Sequence, residues 1–115
     1  MLILTRRKGE TIHIGDEIVA VVSSVTPKRV CVDLVLNKGD AVSLGETRLE
    51  HSGFVRRSVS RGDTFRIGEE IALKICDKDR SPSQVAIGIT APKHVVILRG
   101  ELYAQQQTMK GRDAA

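Results

Sequence analysis

The residues with the widest chemical repertoire in this chain are three histidines, two cysteines and a basic surplus, and their spacing removes most reaction classes. His13, His51 and His94 stand at no ligand spacing from the cysteines or from carboxylates. No HExxH or GxSxG segment occurs, and the ten glycines fit neither a dinucleotide fingerprint nor a phosphate-binding loop. Cys31 and Cys76 lack CxxC spacing and lie in alternating apolar runs, so they read as two buried, reduced thiols. Neither an enzyme nor a metal or cofactor site is expected.

The basic residues point elsewhere. Net charge is +4, with 7 basic and 7 acidic groups in residues 1–53 but 11 and 7 in residues 54–115. Such a balance is compatible with a polyanionic partner, although many solvated surfaces reach it with no partner. Phe54, Phe65 and Tyr103 are the only aromatic residues, so a base-stacking platform is excluded and the core must be built from Val, Ile and Leu. Taken alone, Arg6-Arg7 reads as a solvated strand end, Leu4 as a core residue and Arg99 as a surface charge.

The elements that must position these residues are strands. Glu17 to Val25, Arg29 to Leu36, Glu70 to Cys76 and Gln84 to Thr90 are β-branched and alternating or continuously apolar. Turn clusters bound them at Thr26 to Lys28, Asn37 to Asp40 and Asp77 to Ser83, and Gly15-Asp16 and Gly68-Glu69 read as tight reversals. Only Arg99 to Met109 has helix-forming composition, and Lys110 to Ala115 reads as a flexible tail. No apolar run approaches the roughly 18 residues of a membrane-spanning helix, and the N-terminus reverses the order of a signal peptide, so a cytoplasmic location is expected.

An internal repeat is the most informative pattern. Residues 9–18, GETIHIGDEI, recur at 62–71 as GDTFRIGEEI. After a two-residue insertion in the second copy, Val30, Val32, Leu34, Val42 and Gly45 align with Val85, Ile87, Ile89, Ile97 and Gly100. The chain thus divides into repeat 1 at 1–53, repeat 2 at 54–109 and a tail at 110–115, with about five short strands per repeat. A unit of roughly 50 residues buries little surface alone, which argues that the copies share one core.

MLILTRRKGETIHIGDEI closely resembles the start of CsrA/RsmA proteins, and ITAPKHVVILRGELYAQQQ resembles their C-terminal part, with its Ala91-Pro92-Lys93 turn and the Arg-x-Glu-x-Tyr lead into a helix. Members of that family are about half this length and form intertwined homodimers of five-stranded units. The resemblance therefore implies a mainly β, pseudo-dimeric barrel or sandwich of two intertwined repeats with a C-terminal helix, monomeric as a chain. It also implies an RNA site shared between the first strand of one unit and the last strand of the other, which captures a GGA-containing loop in a messenger's leader.

Carried over residue by residue, the first-strand contributors are Leu4, Thr5, Arg6 and Arg7, and the last-strand contributors are Ala91, Pro92, Lys93, Val95, Ile97 and Arg99. Arg99 is expected to grip a guanine edge bidentately, with Arg6, Arg7 and Lys93 on phosphates and Leu4 and Ile97 supplying apolar surface. The second site is expected to be lost: Val59 and Ser60 replace the arginine pair, and Leu44 replaces the critical Arg. Arg56-Arg57 would substitute for the pair only if that strand shifted by three residues. Two departures from the pattern are Leu98, where members often carry His, and Gly100, where an acidic residue is usual.

The resemblance implies a translational regulator, mostly a repressor, whose partners are hairpin-loop RNA in messenger leaders, regulatory small RNA and a protein antagonist. The competing expectation is a protein-interaction or antagonist module that keeps the fold while RNA binding is weak.

Overall fold

The computed structural model describes residues 1–37, 39–77 and 81–100. It contains eleven strands: β1 (Leu2–Arg7), β2 (Thr11–Ile14), β3 (Ile18–Val25), β4 (Arg29–Leu36), β5 (Val42–Leu44), β6 (Thr47–Leu49), β7 (Phe54–Ser60), β8 (Thr64–Ile67), β9 (Ile71–Ile75), β10 (Gln84–Thr90) and β11 (Ile97–Arg99). Period-two alternation sets which face each strand buries. In β4, Val30, Val32, Leu34 and Leu36 are buried, and in β10, Val85, Ile87 and Ile89. A one-residue slip would turn each of these sets to solvent, so the register is tightly specified.

The strands form two antiparallel sheets, one of six strands in the order β1-β10-β9-β8-β5-β6 and one of five in the order β11-β2-β3-β4-β7. Neither sheet belongs to one end of the sequence. β1 leaves its chain neighbours to pair with β10, from Leu2↔Ile89 to Arg7↔Gln84, while β7 pairs with β4, from Phe54↔Val35 to Ser60↔Arg29. β5 pairs with β8 in the register Val42↔Ile67, Leu44↔Phe65; β11 pairs with β2 in the matching register Ile97↔Ile14, Arg99↔Ile12. Apart from β6 the two sheets repeat one plan with the segments exchanged.

Between the sheets lies one aliphatic core around Phe65, Ile12, Ile14, Leu34, Ile67, Leu73, Ile75, Ile87 and Ile89. The sharp reversals at Gly15 (φ 59°) and Gly68 (φ 62°) use the left-handed region that glycine reaches without strain. Their amides donate to Val96 O and Ala41 O, which fastens each turn to the chain just before or within β11 and β5. Buried Arg61 ties distant loops together, its Nη2 donating to Thr26 O at 3.0 Å and Gln84 O at 3.4 Å, and also to Ser81 O.

Three expectations need revision. The first segment holds six strands instead of five, because Gly45 turns the chain back as β6 against β5 (Val42↔Leu49, Leu44↔Thr47). Cys31 and Cys76 are free but only half-buried, since alternation that buries Val30, Val32 and Ile75 turns both thiols to the outer faces. Arg99, expected to open the helix, instead ends β11, and helical backbone begins at Gly100; the expected helix beyond it, and the tail, lie outside the described residues. Among the described residues no helix is long and apolar enough to cross a membrane.

Phe65 is fully enclosed and belongs to the repeat that lends β8 to the six-stranded sheet. Phe65→Ala should lower the unfolding free energy by about 3–5 kcal/mol, read as a drop in the urea midpoint. A loss below about 1 kcal/mol would show that the two sheets do not close over this ring.

Candidate nucleic-acid interface

β1 is the edge of the six-stranded sheet, and β11 is the edge of the five-stranded sheet. Along β1 the alternation puts Leu4 and Arg6 on the inner face, at 5% and 4% exposure, and leaves Thr5 and Arg7 exposed on the outer face. Arg99 stands opposite buried Ile12 and shares the parity of half-buried Ile97, so it projects from the inner side of β11 while remaining exposed.

The two edges meet at Thr11, the residue before Ile12. Arg6 Nη1 donates to Thr11 O at 3.4 Å, its Nε donates to Thr5 O at 2.7 Å, and the Glu10 carboxylate lies 3.9 Å away. Glu10 also accepts from the Arg7 amide at 2.7 Å, closing the Lys8-Gly9 turn. On the other side Gly100 lies against the Thr11 side chain, whose hydroxyl is 3.3 Å from His13 Nε2. Burial holds the His13 imidazole below its ordinary pKa of 6.5, favouring the neutral ring opposite Leu98.

The approach to β11 is a turn. Ala91 and Pro92 are half-buried, Lys93 is exposed, and the Val95 amide donates to Pro92 O at 3.0 Å. Val95 and Ile97 lean on the core. Thr5, Arg7, Lys93 and Arg99 are therefore exposed groups borne by β1, by the turn and by β11, the edges joined at the Arg6–Thr11 seam. Leu4 and Arg6 lie inside that seam. The expectations that Leu4 offers open apolar surface and that Arg6 reaches a phosphate do not match this placement, because both lie on the inward parity of β1. Glu10 and Thr11, which hold Arg6, were not foreseen; the signal available was Glu10 three residues after Arg7, across a Gly turn.

The opposite end of the sandwich is built differently. There the five-stranded sheet ends in β7, and the six-stranded sheet ends not in β5 but in β6, which takes up the free edge of β5. Leu44 stands where the other end has Arg99, opposite Phe65. β7 is not shifted by three residues: Arg57 pairs with Val32 as Leu4 pairs with Ile87, and Val59 occupies the inward place of Arg6. Arg56 is engaged elsewhere, bidentate to Asp33 at 2.9 Å through both Nε and Nη2 and 5.5 Å from the Phe54 ring centroid. Asp33 accordingly raises the Arg56 pKa, by hydrogen bonding first and by charge second.

Comparison with known proteins agrees with this architecture. The CsrA global regulator protein family matches residues 1–36 and 58–108. The Translational regulator CsrA of Pseudothermotoga lettingae is 48% identical over 42 residues, covering 36% of this chain and 53% of that protein. The chain thus spans about half the length of this curated relative. No solved structure matches. With the family matched across both the β1–β4 and β7–β11 regions, this chain belongs to the CsrA global regulator protein family.

Proposed function

We propose that the chain is an RNA-binding regulator of translation, built from two fused units, 1–53 and 54–109, that share one core and act as a monomeric pseudo-dimer. One composite site, made by β1 and β11, captures a GGA-containing loop in a messenger's leader and mostly represses translation by covering the ribosome-binding region. A regulatory small RNA with the same loop would compete for it. The observation that carries this reading is that Arg99 and the exposed face of β1 flank one seam, while at the other end β6 takes up the equivalent edge and Leu44 replaces the arginine.

The chemistry follows from the geometry. Outside its ladder with β10, β1 keeps an edge of backbone donors and acceptors that can pair with unstacked base edges. Arg99 offers a planar fork to the O6 and N7 acceptors of a guanine, worth about 1–3 kcal/mol of discrimination by analogy with base readout in DNA. Arg7 and Lys93, both exposed, meet phosphates and tie affinity to salt. Arg6 acts from within: by donating to Thr11 O it ties β1 to β2, the strand beside β11.

Titrating a short hairpin with GGA in its loop should give one RNA per chain. Arg99→Ala should weaken binding roughly tenfold to a hundredfold, whereas Arg56→Ala should leave it nearly unchanged. Two RNAs per chain would overturn the single-site reading. No binding at modest salt would favour the second reading, a protein-interaction module, for which the exposed pair Phe54 and Val35 on β7 and β4 provides an apolar contact.

The shared core makes a separate prediction about the units. Residues 1–53 and 54–115 expressed apart should each lack the sheet signature in circular dichroism and bind no hairpin, and mixing them should restore both. A folded, RNA-binding half would refute the composite site.

A further inference from the structure

We infer that the outer face of the six-stranded sheet is a second RNA contact, a phosphate track that carries the strand flanking the bound loop from β1 across to β6. This rests on the proposed loop site for its starting point, shares Arg7 with it, and adds Arg48, Arg66 and Lys74. Alternation assigns the outward positions: Ile3, Thr5 and Arg7 on β1; Gln84, Ala86, Gly88 and Thr90 on β10; Ala72 and Lys74 on β9; Thr64 and Arg66 on β8; Ser43 on β5; Arg48 on β6. Four of these are cations, all exposed, and none is a carboxylate. Among the described residues no ion pair neutralises Arg7, Arg48, Arg66 or Lys74.

The registers turn these positions into a path. Ser43 stands between Arg48 and Arg66, and Arg66 opposite Ala72 is diagonal to Lys74, which faces Gly88. Gly88 and Ala86 then face Ile3 and Thr5, four and two residues along from Arg7. At about 4.8 Å per strand the face is roughly 24 Å wide from β1 to β6. Ser43 and Ala72, between Arg48, Arg66 and Lys74, are small, so a sugar-phosphate backbone can lie close to that part of the sheet; nearer β1 the Met1 side chain lies over Gly88 and Ile3 is exposed, so the path to Arg7 runs along Ala86 and Gln84. Glu10, which accepts from the Arg7 amide, and Glu46, Glu50 and Asp77 belong to the turns and ends that bound the strands.

The other sheet shows that this is not a generic property of the fold. On its outer face Asp33 binds Arg56, and Arg29 donates to Ser58 and Ser60. There Arg56 is paired with a carboxylate and Arg29 is held by serines. The +4 of the chain is therefore unevenly presented, and the unpaired cations are continuous with the β1 edge. Charge complementarity and that continuity favour an RNA backbone as the occupant.

The test compares three RNAs over 50 to 200 mM salt: the minimal GGA hairpin, the same hairpin with a single-stranded extension of about ten nucleotides, and a GGA-free strand of equal length. For the intact chain the extension should tighten binding and steepen the salt dependence. In the double variant Arg66→Gln/Lys74→Gln, affinity for the minimal hairpin should persist, while the slope for the extended RNA falls by about 1.4, a roughly sevenfold smaller loss of affinity over that salt range. Lys28→Gln, in a turn of the other sheet, controls for net charge and should change nothing. Thermal midpoints of all variants should match, since the replaced groups are exposed.

An extension whose benefit survives the double variant, or is equally reduced by Lys28→Gln, would overturn the track. If the minimal hairpin fails to bind but the GGA-free strand binds in a way that depends on Arg66 and Lys74, the track stands and the loop site falls.

Discussion

Backbone pairing between exchanged strands is the constraint on which everything else in this molecule rests. A buried amide or carbonyl left without a partner costs about as much as a lost hydrogen bond. Here β10 finds one of its partners in β1, and β4 finds one of its partners in β7. Removing either exchanged strand would strip a ladder from a sheet whose inner face is aliphatic, exposing both backbone and core at once. The same exchange creates the seam, since it delivers β1 to an edge that faces β11 across the sandwich.

The exchange of β1 and β7 takes place within one chain, so the two ends of the sandwich are free to differ. One end keeps arginines along the seam. The other has become structural: β6 satisfies the edge of β5, Arg56 is bound to Asp33, and Leu44 adds apolar surface against the core.

Electrostatics follow the same division. Net charge of +4 says little about where a polyanion would be welcome. Pairing decides it, because the five-stranded sheet spends its arginines on Asp33 and on serines, whereas the six-stranded sheet leaves Arg48, Arg66 and Lys74 facing outward with small neighbours. Arg6 illustrates the opposite case. It is a cation by type, yet its parity on β1 turns it inward to carbonyls and Glu10, where it acts on geometry instead of on solvent.

Much of this was legible in the residues. Alternation in RVCVDLVL and QVAIGIT determined both the strands and their buried faces, and the recurrence of GETIHIGDEI as GDTFRIGEEI marked equivalent turns at Gly15 and Gly68. Those are local properties, written in side-chain period and in glycine's freedom of φ. Pairing partners are not local. That β6 would fold back on β5, that β7 would hold its register so Arg56 meets Asp33, and that Arg6 would lie inside the seam while Arg99 stays exposed depended on contacts between residues far apart in the chain. The sequence by itself determined most of the strands and which residue types could face a partner of opposite charge. Only the tertiary structure decided which of those residues are free to do so, because exposure of a charged group on a strand depends on the neighbour that the sheet places beside it.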